Sequence, residues 1–347
     1  MSRPDAPEFT NSGGPTFKRK VVSLSSEALV QSSYLQGGKQ FPLVLQPAVE
    51  HLNPVAWASV TAEYIERQLL KHGAILFRGF RIGGPEGFEK FIRTLSPQLL
   101  DYNERAAPRI KVADNIYTST EYPADQYIPL HHEMSYSHNW PMKIWFYCVQ
   151  PAAKGGSTPI ACDREFMRRL DPLIKETFLS KGVMYVRNYG QGLDLSWQDA
   201  FQTQDKSDVE EYCRRAGTHF EWKDAHRLRT RQVRQVVTTH PKTEETIWFN
   251  HAHMFHVSNL EPAVRDSLLA EFKGDDLPRN AYYGDGSPIE SSVLKTIRST
   301  YQQIAVTFTW QKGDLLMLDN VLASHGREPF TGPRKILVAM AELFSHS

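Results

Sequence analysis

The sequence predicts a mainly β fold with inserted helices, built on a double-stranded β-helix, or jelly-roll, core. Three observations carry this. From about residue 110, short β-prone runs succeed one another at 116–118, 143–149, 183–188, 247–250, 305–310, 314–319 and 336–343. Turn signals part them, at Gly155-Gly156, Gly190, Gly284-Asp285-Gly286, Gly313-Asp314 and Gly332-Pro333, which is the texture of stacked antiparallel strands. No glycine-rich phosphate loop follows a strand, so a nucleotide-binding βαβ fold has no support.

The elements follow in order. Residues 1–16 are rich in Pro, Ser, Gly and Asn and read as a flexible tail, leaving 17–347 as a single domain. A first helix is predicted from Asn53-Pro54, a cap residue with proline at the first helical position. Trp57, Val60, Tyr64, Ile65 and Leu69 recur at near-helical spacing, and Gly73 ends the helix. Residues 74–80 read as a buried strand. A second amphipathic helix carries Phe88, Phe91, Ile92 and Leu95 on one face. Two more helices are expected at 261–272 and 289–303, and no internal repeat is visible.

Composition excludes several classes of function. The 347 residues carry 40 Lys+Arg against 39 Asp+Glu, so no global field recruits nucleic acid or a membrane surface. Three cysteines without CxxC spacing, Cys148, Cys162 and Cys213, argue against a disulfide framework. No apolar signal region follows Met1, and no apolar run approaches membrane-spanning length. A soluble cytoplasmic protein is expected; its oligomeric state has no signature in the sequence.

The chemistry concentrates in Leu130-His131-His132-Glu133-Met134-Ser135-Tyr136 and, far downstream, in Ser324-His325-Gly326-Arg327 and Pro333-Arg334-Lys335. On a strand, residues i and i+2 share a face, so His131 and Glu133 point together while His132 points away. His325 is the best candidate for a third ligand. Two imidazoles and one carboxylate on one side of a metal are the donor set of oxygen-activating non-haem iron. Arg334 begins the next strand, where a guanidinium can grip a carboxylate through two parallel hydrogen bonds. His-x-Glu alone is weak, since His219-Phe220-Glu221 is a second match. What distinguishes the first is its company: Gly155-Gly156-Ser157-Thr158, then His-Gly-Arg, then Arg334.

Other clusters compete. His251-Ala252-His253-Met254-Phe255-His256 would place His251 and His253 on one face of an extended segment, the basis of a zinc-hydrolase reading, but no adjacent carboxylate or cysteine completes a set. Asn250 and His253 are candidates for lining the substrate pocket. Arg227, Arg229 and Arg231, followed by Arg234, read as a solvated strand face, or else as a dock for an acidic carrier protein. Trp145-Phe146-Tyr147 reads as core, and Asp314, Asp319 and Asn320 as turn residues.

His131-x-Glu133, Gly155-Gly156-Ser157-Thr158 and His325-Gly326-Arg327 followed by Arg334 resemble the TauD/TfdA-like branch of the Fe(II)/2-oxoglutarate dioxygenases, whose core is cupin-like. The stretches 117–123, 132–137, 185–190, 248–250 and 280–286 are similar to its syringomycin-biosynthesis (SyrP-like) subgroup, and the resemblance spans roughly residues 40–344. It implies that His131, Glu133 and His325 bind Fe(II). It also implies that Arg334 pairs with the distal carboxylate of 2-oxoglutarate, Thr158 bonding the same end and Arg327 being a less favoured stand-in for Arg334. The resemblance further implies that, with O2 as co-reactant, succinate and CO2 are released while an unactivated C–H bond of an aliphatic amino acid, free or presented by a carrier protein, is oxidised in specialised-metabolite biosynthesis. Glu133 argues against halogenation, because related halogenases lack that carboxylate. Hydroxylation is the default outcome; desaturation or ring closure, such as aziridine formation from valine, is the alternative, and a catalytically silent cupin-like binding protein is the reading from another class. Phe344, with Leu343, is a candidate for the substrate side.

Overall fold

Alternation along one long strand, Asn139–Gln150, sets the layers of the molecule. In this computed structural model, which describes residues 25–101, 109–119, 122–190, 192 and 194–345, Ile144, Phe146 and Cys148 turn to one side of that strand and Trp145 and Tyr147 to the other, as the two-residue period of a pleated strand requires. Its antiparallel neighbours Leu315–Asp319 and Lys335–Ser345 follow the same rule. Leu316, Leu318, Ile336 and Val338 join the inner side, and Leu315, Met317, Leu337 and Ala339 the outer. Among the described residues this sheet has eight strands, running Val30–Tyr34, Leu43–Pro47, Ala74–Phe77, Leu315–Asp319, Asn139–Gln150, Lys335–Ser345, Ile116–Thr118 and Lys111–Ala113 across its width.

The inner side is closed by a second layer. A three-stranded sheet of Ile128–His131, Ala323–Arg327 and Ile160–Cys162 stands beside the hairpin Val237–Thr239/Thr246–Trp248. Ile160, Ile247, Phe249, Val306 and Ala323 meet the large sheet in one buried cluster, the sandwich interior of a jelly roll. A four-stranded sheet, His219–Trp222, Leu228–Arg234, Val183–Tyr189 and Arg279–Tyr283, extends the molecule on that side.

Helices cover both outer faces. Pro54–Val60, Ala62–His72 and Gly84–Leu95 bury Trp57, Ile65, Leu69, Phe88, Phe91 and Ile92 against Trp145, Tyr147 and Met317. Asp163–Arg169, Pro172–Lys181 and Ser291–Ile304 pack Phe166, Phe178, Ile297 and Tyr301 against Leu130, Tyr185 and Trp248.

Several expectations are corrected. The helix read from Asn53 to Gly73 is two helices: Thr61 leaves the helical region (φ −119°, ψ 15°) while its hydroxyl donates to Trp57 O, the competing local bond that β-hydroxyl residues offer. Val60, counted on the apolar face, is 68% exposed at that break. Residues 305–310 run beside the sheet with a single bridge, Val306 to Ile160, and form no strand. The histidine segment 251–256 is not extended; Ala252–Phe255 is a short helix. The expected tail, 1–16, lies outside the described residues.

Candidate metal centre

Strand register assembles the donor set. Ile128–His131 pairs antiparallel with Ala323–Arg327, and His131 stands directly opposite His325, their ring centres 4.5 Å apart. The strand ends at His131, so Glu133 does not arrive by strand alternation as expected. It comes from the following turn, where Met134 takes φ 59°. His132 points away, its Nε2 3.1 Å from Asp163 Oδ2. Ligand atoms of His131, Glu133 and His325 lie within 4.8 Å of one another, and among the described residues no other group of three does so.

The imidazoles are prepared to ligate. His131 Nδ1 lies 2.8 Å from Pro129 O; a carbonyl only accepts, so Nδ1 carries the proton and Nε2 keeps its lone pair. Burial holds the His131 pKa down against the opposing charge of Glu133, and holds that of His325 well down, with a further push from the neighbouring His131. Both are neutral at pH 7, the state a metal requires. His325 Nδ1 is buried without a hydrogen-bond partner. Two neutral imidazoles and a buried carboxylate fit a divalent iron.

Two polar side chains fix the ligand-bearing backbone. Asn320 Oδ1 accepts from Glu133 N at 2.8 Å, while Nδ2 donates to Glu133 O at 2.9 Å and Pro141 O at 2.8 Å. Fully buried Asp163 accepts from Ser324 N and from Tyr301 OH, besides its contact with His132. It therefore ties together the residue after His131 and the residue before His325. Asn320 reads in the sequence as a turn residue, and nothing marks Asp163, because their partners lie on other segments of the chain.

The cavity beside the donors is lined by Arg109, Ser119, Thr158, Phe146, Arg327 and Arg334 among others. Thr158 Oγ1 accepts from the Trp310 indole at 3.0 Å, which leaves its own hydroxyl proton for another acceptor. Arg334 bonds Gly156 O and Ser119 Oγ, both neutral. Burial and the adjacent Arg327 bring its pKa down to about 10, so it stays protonated at neutral pH. A half-buried cation held by neutral acceptors is able to receive a carboxylate. Arg327, the less favoured stand-in, spends its guanidinium on the carbonyls of Tyr122, Pro123 and Gln126. Arg109 was not anticipated: its Nη2 sits 2.7 Å from Glu133 Oε2, both side chains buried. No motif surrounds Arg109, so the sequence held no signal for it.

The remaining candidates lie elsewhere. Asn250 Nδ2 donates to Val236 O and its Oδ1 accepts from Ala252 N, so both ends are used within the hairpin and helix. His253 Nε2 donates to Leu130 O on the outer face of the metal-bearing sheet. Phe344 packs on Trp140, and Leu343 is 57% exposed. His251 approaches His131, ring centres 5.4 Å apart, with Nδ1 2.5 Å from Ser135 Oγ. The zinc reading of 251–256 thus loses its geometry, since His251 and His253 face different partners. Arg229 and Arg231 are engaged by Asp276 and Asp275.

The chain matches the family model described as "Taurine catabolism dioxygenase TauD, TfdA family" over residues 39–340. It is 44% identical to the dapdiamide synthesis protein DdaC of Enterobacter agglomerans over 80% of this chain and 84% of that protein. It is 28% identical to a clavaminate synthase-like protein of Arabidopsis thaliana over 88% and 94%. Its fold is similar to that of PvcB from Pseudomonas aeruginosa, at TM-score 0.55, 16% identity and 92% of each chain. A second PvcB structure, at TM-score 0.53, 17% identity and 92% and 93% coverage, is described as an Fe, alpha-ketoglutarate dependent oxygenase from an isonitrile synthetic pathway. With that match spanning most of the chain and a prepared donor set at its centre, the protein belongs to the TauD/TfdA family and is a dioxygenase dependent on Fe(II), 2-oxoglutarate and O2.

Proposed function

We propose that His131, Glu133 and His325 hold the Fe(II), that Arg334 and Thr158 receive the distal carboxylate of 2-oxoglutarate, and that the enzyme hydroxylates an aliphatic amino acid in specialised-metabolite biosynthesis. The observation that carries this reading is the meeting of the three donors in a cavity shared with Arg334 and Thr158. Bound iron supplies O2 activation coupled to oxidative decarboxylation of 2-oxoglutarate to succinate and CO2. The chain's own residues do the rest. Arg334 and the Thr158 hydroxyl orient the cosubstrate, and Phe146, with its ring centre 5.1 Å from that of His325, keeps one wall of the cavity apolar. Glu133 would supply a carboxylate ligand where halogenases of this kind have none, which favours oxygenation. The similarity to a dapdiamide synthesis protein supports amino-acid chemistry in specialised metabolism. Three free cysteines support a reducing, cytoplasmic setting.

Anaerobic titration of the apo-protein with Fe(II) and 2-oxoglutarate tests the site. A weak visible charge-transfer band is expected in the wild type, lost in Glu133→Ala and weakened in Arg334→Ala. An aliphatic amino-acid panel scored by succinate release then identifies the substrate, and product mass separates hydroxylation from desaturation or ring closure. A wild type that binds iron but shows no band would refute the cosubstrate assignment.

A further inference from the structure

Behind the strand that carries His131 lies a second cavity, of about 190 Å³, which shares no lining residue with the first. Ile128 and His131 line the first cavity, whereas Pro129 and Leu130 of the same strand line this one. Its volume is well above the ~30 Å³ share of one water molecule. Tyr127, 37% exposed, and the exposed Gln302 stand at its edge and open it to solvent.

Two groups in its wall lack the kind of partner their chemistry calls for. Arg298, on the helix Ser291–Ile304, is half-buried, and its three hydrogen bonds go to neutral oxygens. These are His253 O at 2.7 Å, Ser258 O at 3.3 Å and Ser258 Oγ at 3.2 Å. A guanidinium has five donors, so two are left over. No carboxylate of the described residues pairs with it, and burial alone draws its pKa down. A cation in that position favours an anion. The second group is His253, buried at 1% exposure. Its Nε2 gives its proton to Leu130 O at 2.8 Å, and burial, which brings its pKa down to about 3, keeps the ring neutral. Nδ1 therefore carries a lone pair, and it is buried without a hydrogen-bond partner. Such an acceptor calls for a donor. Because Arg298 is bonded to the backbone of His253 itself, the cation and the lone pair belong to one small region. Pro129, Leu130 and the ring of Tyr301 make the rest of the wall apolar, since the Tyr301 hydroxyl is spent on Asp163 Oδ1.

We propose that this cavity is a second binding site, for a small aliphatic 2-hydroxy carboxylate. The carboxylate pairs with Arg298, the 2-hydroxyl donates to His253 Nδ1, and the alkyl group lies against Pro129 and Leu130. A 2-amino acid is matched less well, because its ammonium would sit beside the guanidinium. The site stands apart from the three metal donors, so it depends neither on which metal they hold nor on which bond the enzyme oxidises.

Calorimetry on the full, metal-free chain tests this, metal being left out because a 2-hydroxy acid chelates it directly. The probes are 2-hydroxyisovalerate, isovalerate, 2-hydroxyisovaleramide and inorganic phosphate. Wild type is expected to bind 2-hydroxyisovalerate with a millimolar or tighter dissociation constant. Isovalerate should bind roughly three- to tenfold more weakly for want of one neutral hydrogen bond, and the amide roughly tenfold or more weakly for want of charge. Arg298→Gln should lose roughly tenfold or more in affinity for the hydroxy acid, while Arg298→Lys, which keeps the charge, retains part of it. Arg334→Ala, which alters only the other cavity, should bind the hydroxy acid as wild type does. If Arg298→Gln fails to fold, the ligand series on wild type and Arg298→Lys still decides. Wild type that shows no binding at millimolar concentration overturns the proposal, as does equal affinity for isovalerate or for phosphate. Loss of binding in Arg334→Ala with none in Arg298→Gln would put the ligand in the metal cavity and overturn it too.

Discussion

Asn320 shows how much of the site depends on one uncharged side chain. It satisfies Glu133 N, Glu133 O and Pro141 O simultaneously in the interior. Asn320→Ala leaves those groups without partners, at roughly 1–3 kcal/mol for each buried group that finds no water. Urea unfolding should show a loss of about 2–4 kcal/mol, and Mn(II) calorimetry a weakened site; unchanged metal affinity would mean that Glu133 does not depend on this clamp. Histidines set the pH response. Burial pushes His253 down to about 3 and His256 down to about 4, against an ordinary value of 6.5. Below pH 6.5 the unfolded chain therefore binds more protons than the folded one. Stability is complete above 6.5 and declines as pH falls toward 4 and then 3. Thermal midpoints between pH 7 and 4 should fall less steeply in His253→Gln than in wild type. At this scale the meeting of His131, Glu133 and His325 was legible because spacing and company coincide, whereas Arg109, Asp163 and the role of Asn320 depend on partners that only folding supplies.

Strands and turns impose their own requirement at Gly326. A Cβ there would lie 2.6 Å from Ile128 O and 3.3 Å from Leu130 N, so the two strands that carry His131 and His325 can approach only because this position has no side chain. Gly326→Ala should part His131 from His325, lower Mn(II) affinity at least tenfold and abolish the 2-oxoglutarate band; a normal band would show that the strands tolerate the separation. The helix Gly84–Leu95 carries the expected apolar face, and Pro262–Glu271 and Ser291–Ile304 match the expected spans closely. Strong apolar periodicity explains the first and last, and Glu261-Pro262 marks the start of the second. Asp163–Arg169 and Lys206–Arg215 went unread because each buries a narrow stripe, Phe166 in one and Val209 and Cys213 in the other, within a charged background. Residues 305–310 have the composition of a strand, but they hold only one bridge.

At the scale of the whole molecule, the jelly-roll class was legible from the rhythm of runs and turns. Strand order was not, because the large sheet interleaves segments from both ends of the chain: Ala74–Phe77, Leu315–Asp319 and Asn139–Gln150 are consecutive neighbours. Because the proposed ligands His131, Glu133 and His325 come from separate parts of that architecture, metal binding there is expected to be a global event. Mn(II) at a hundred times its dissociation constant should stabilise the fold by about 2.7 kcal/mol, raising the thermal midpoint by several degrees. Addition of 2-oxoglutarate should raise it further in wild type but not in Arg334→Ala, and an equal rise in both would reject Arg334 as the carboxylate's partner. The placement of Lys335–Ser345 between Asn139–Gln150 and Ile116–Thr118 also has a consequence for biosynthesis. While the ribosome is still making the second half of the chain, the long strand waits with both edges uncovered, since its neighbours Leu315–Asp319 and Lys335–Ser345 both come late, and Glu133 waits for an Asn320 that lies 187 residues downstream. Nascent chains therefore emerge with open edges that invite pairing with other chains, and the donor set of His131, Glu133 and His325 is complete only once His325 has been made.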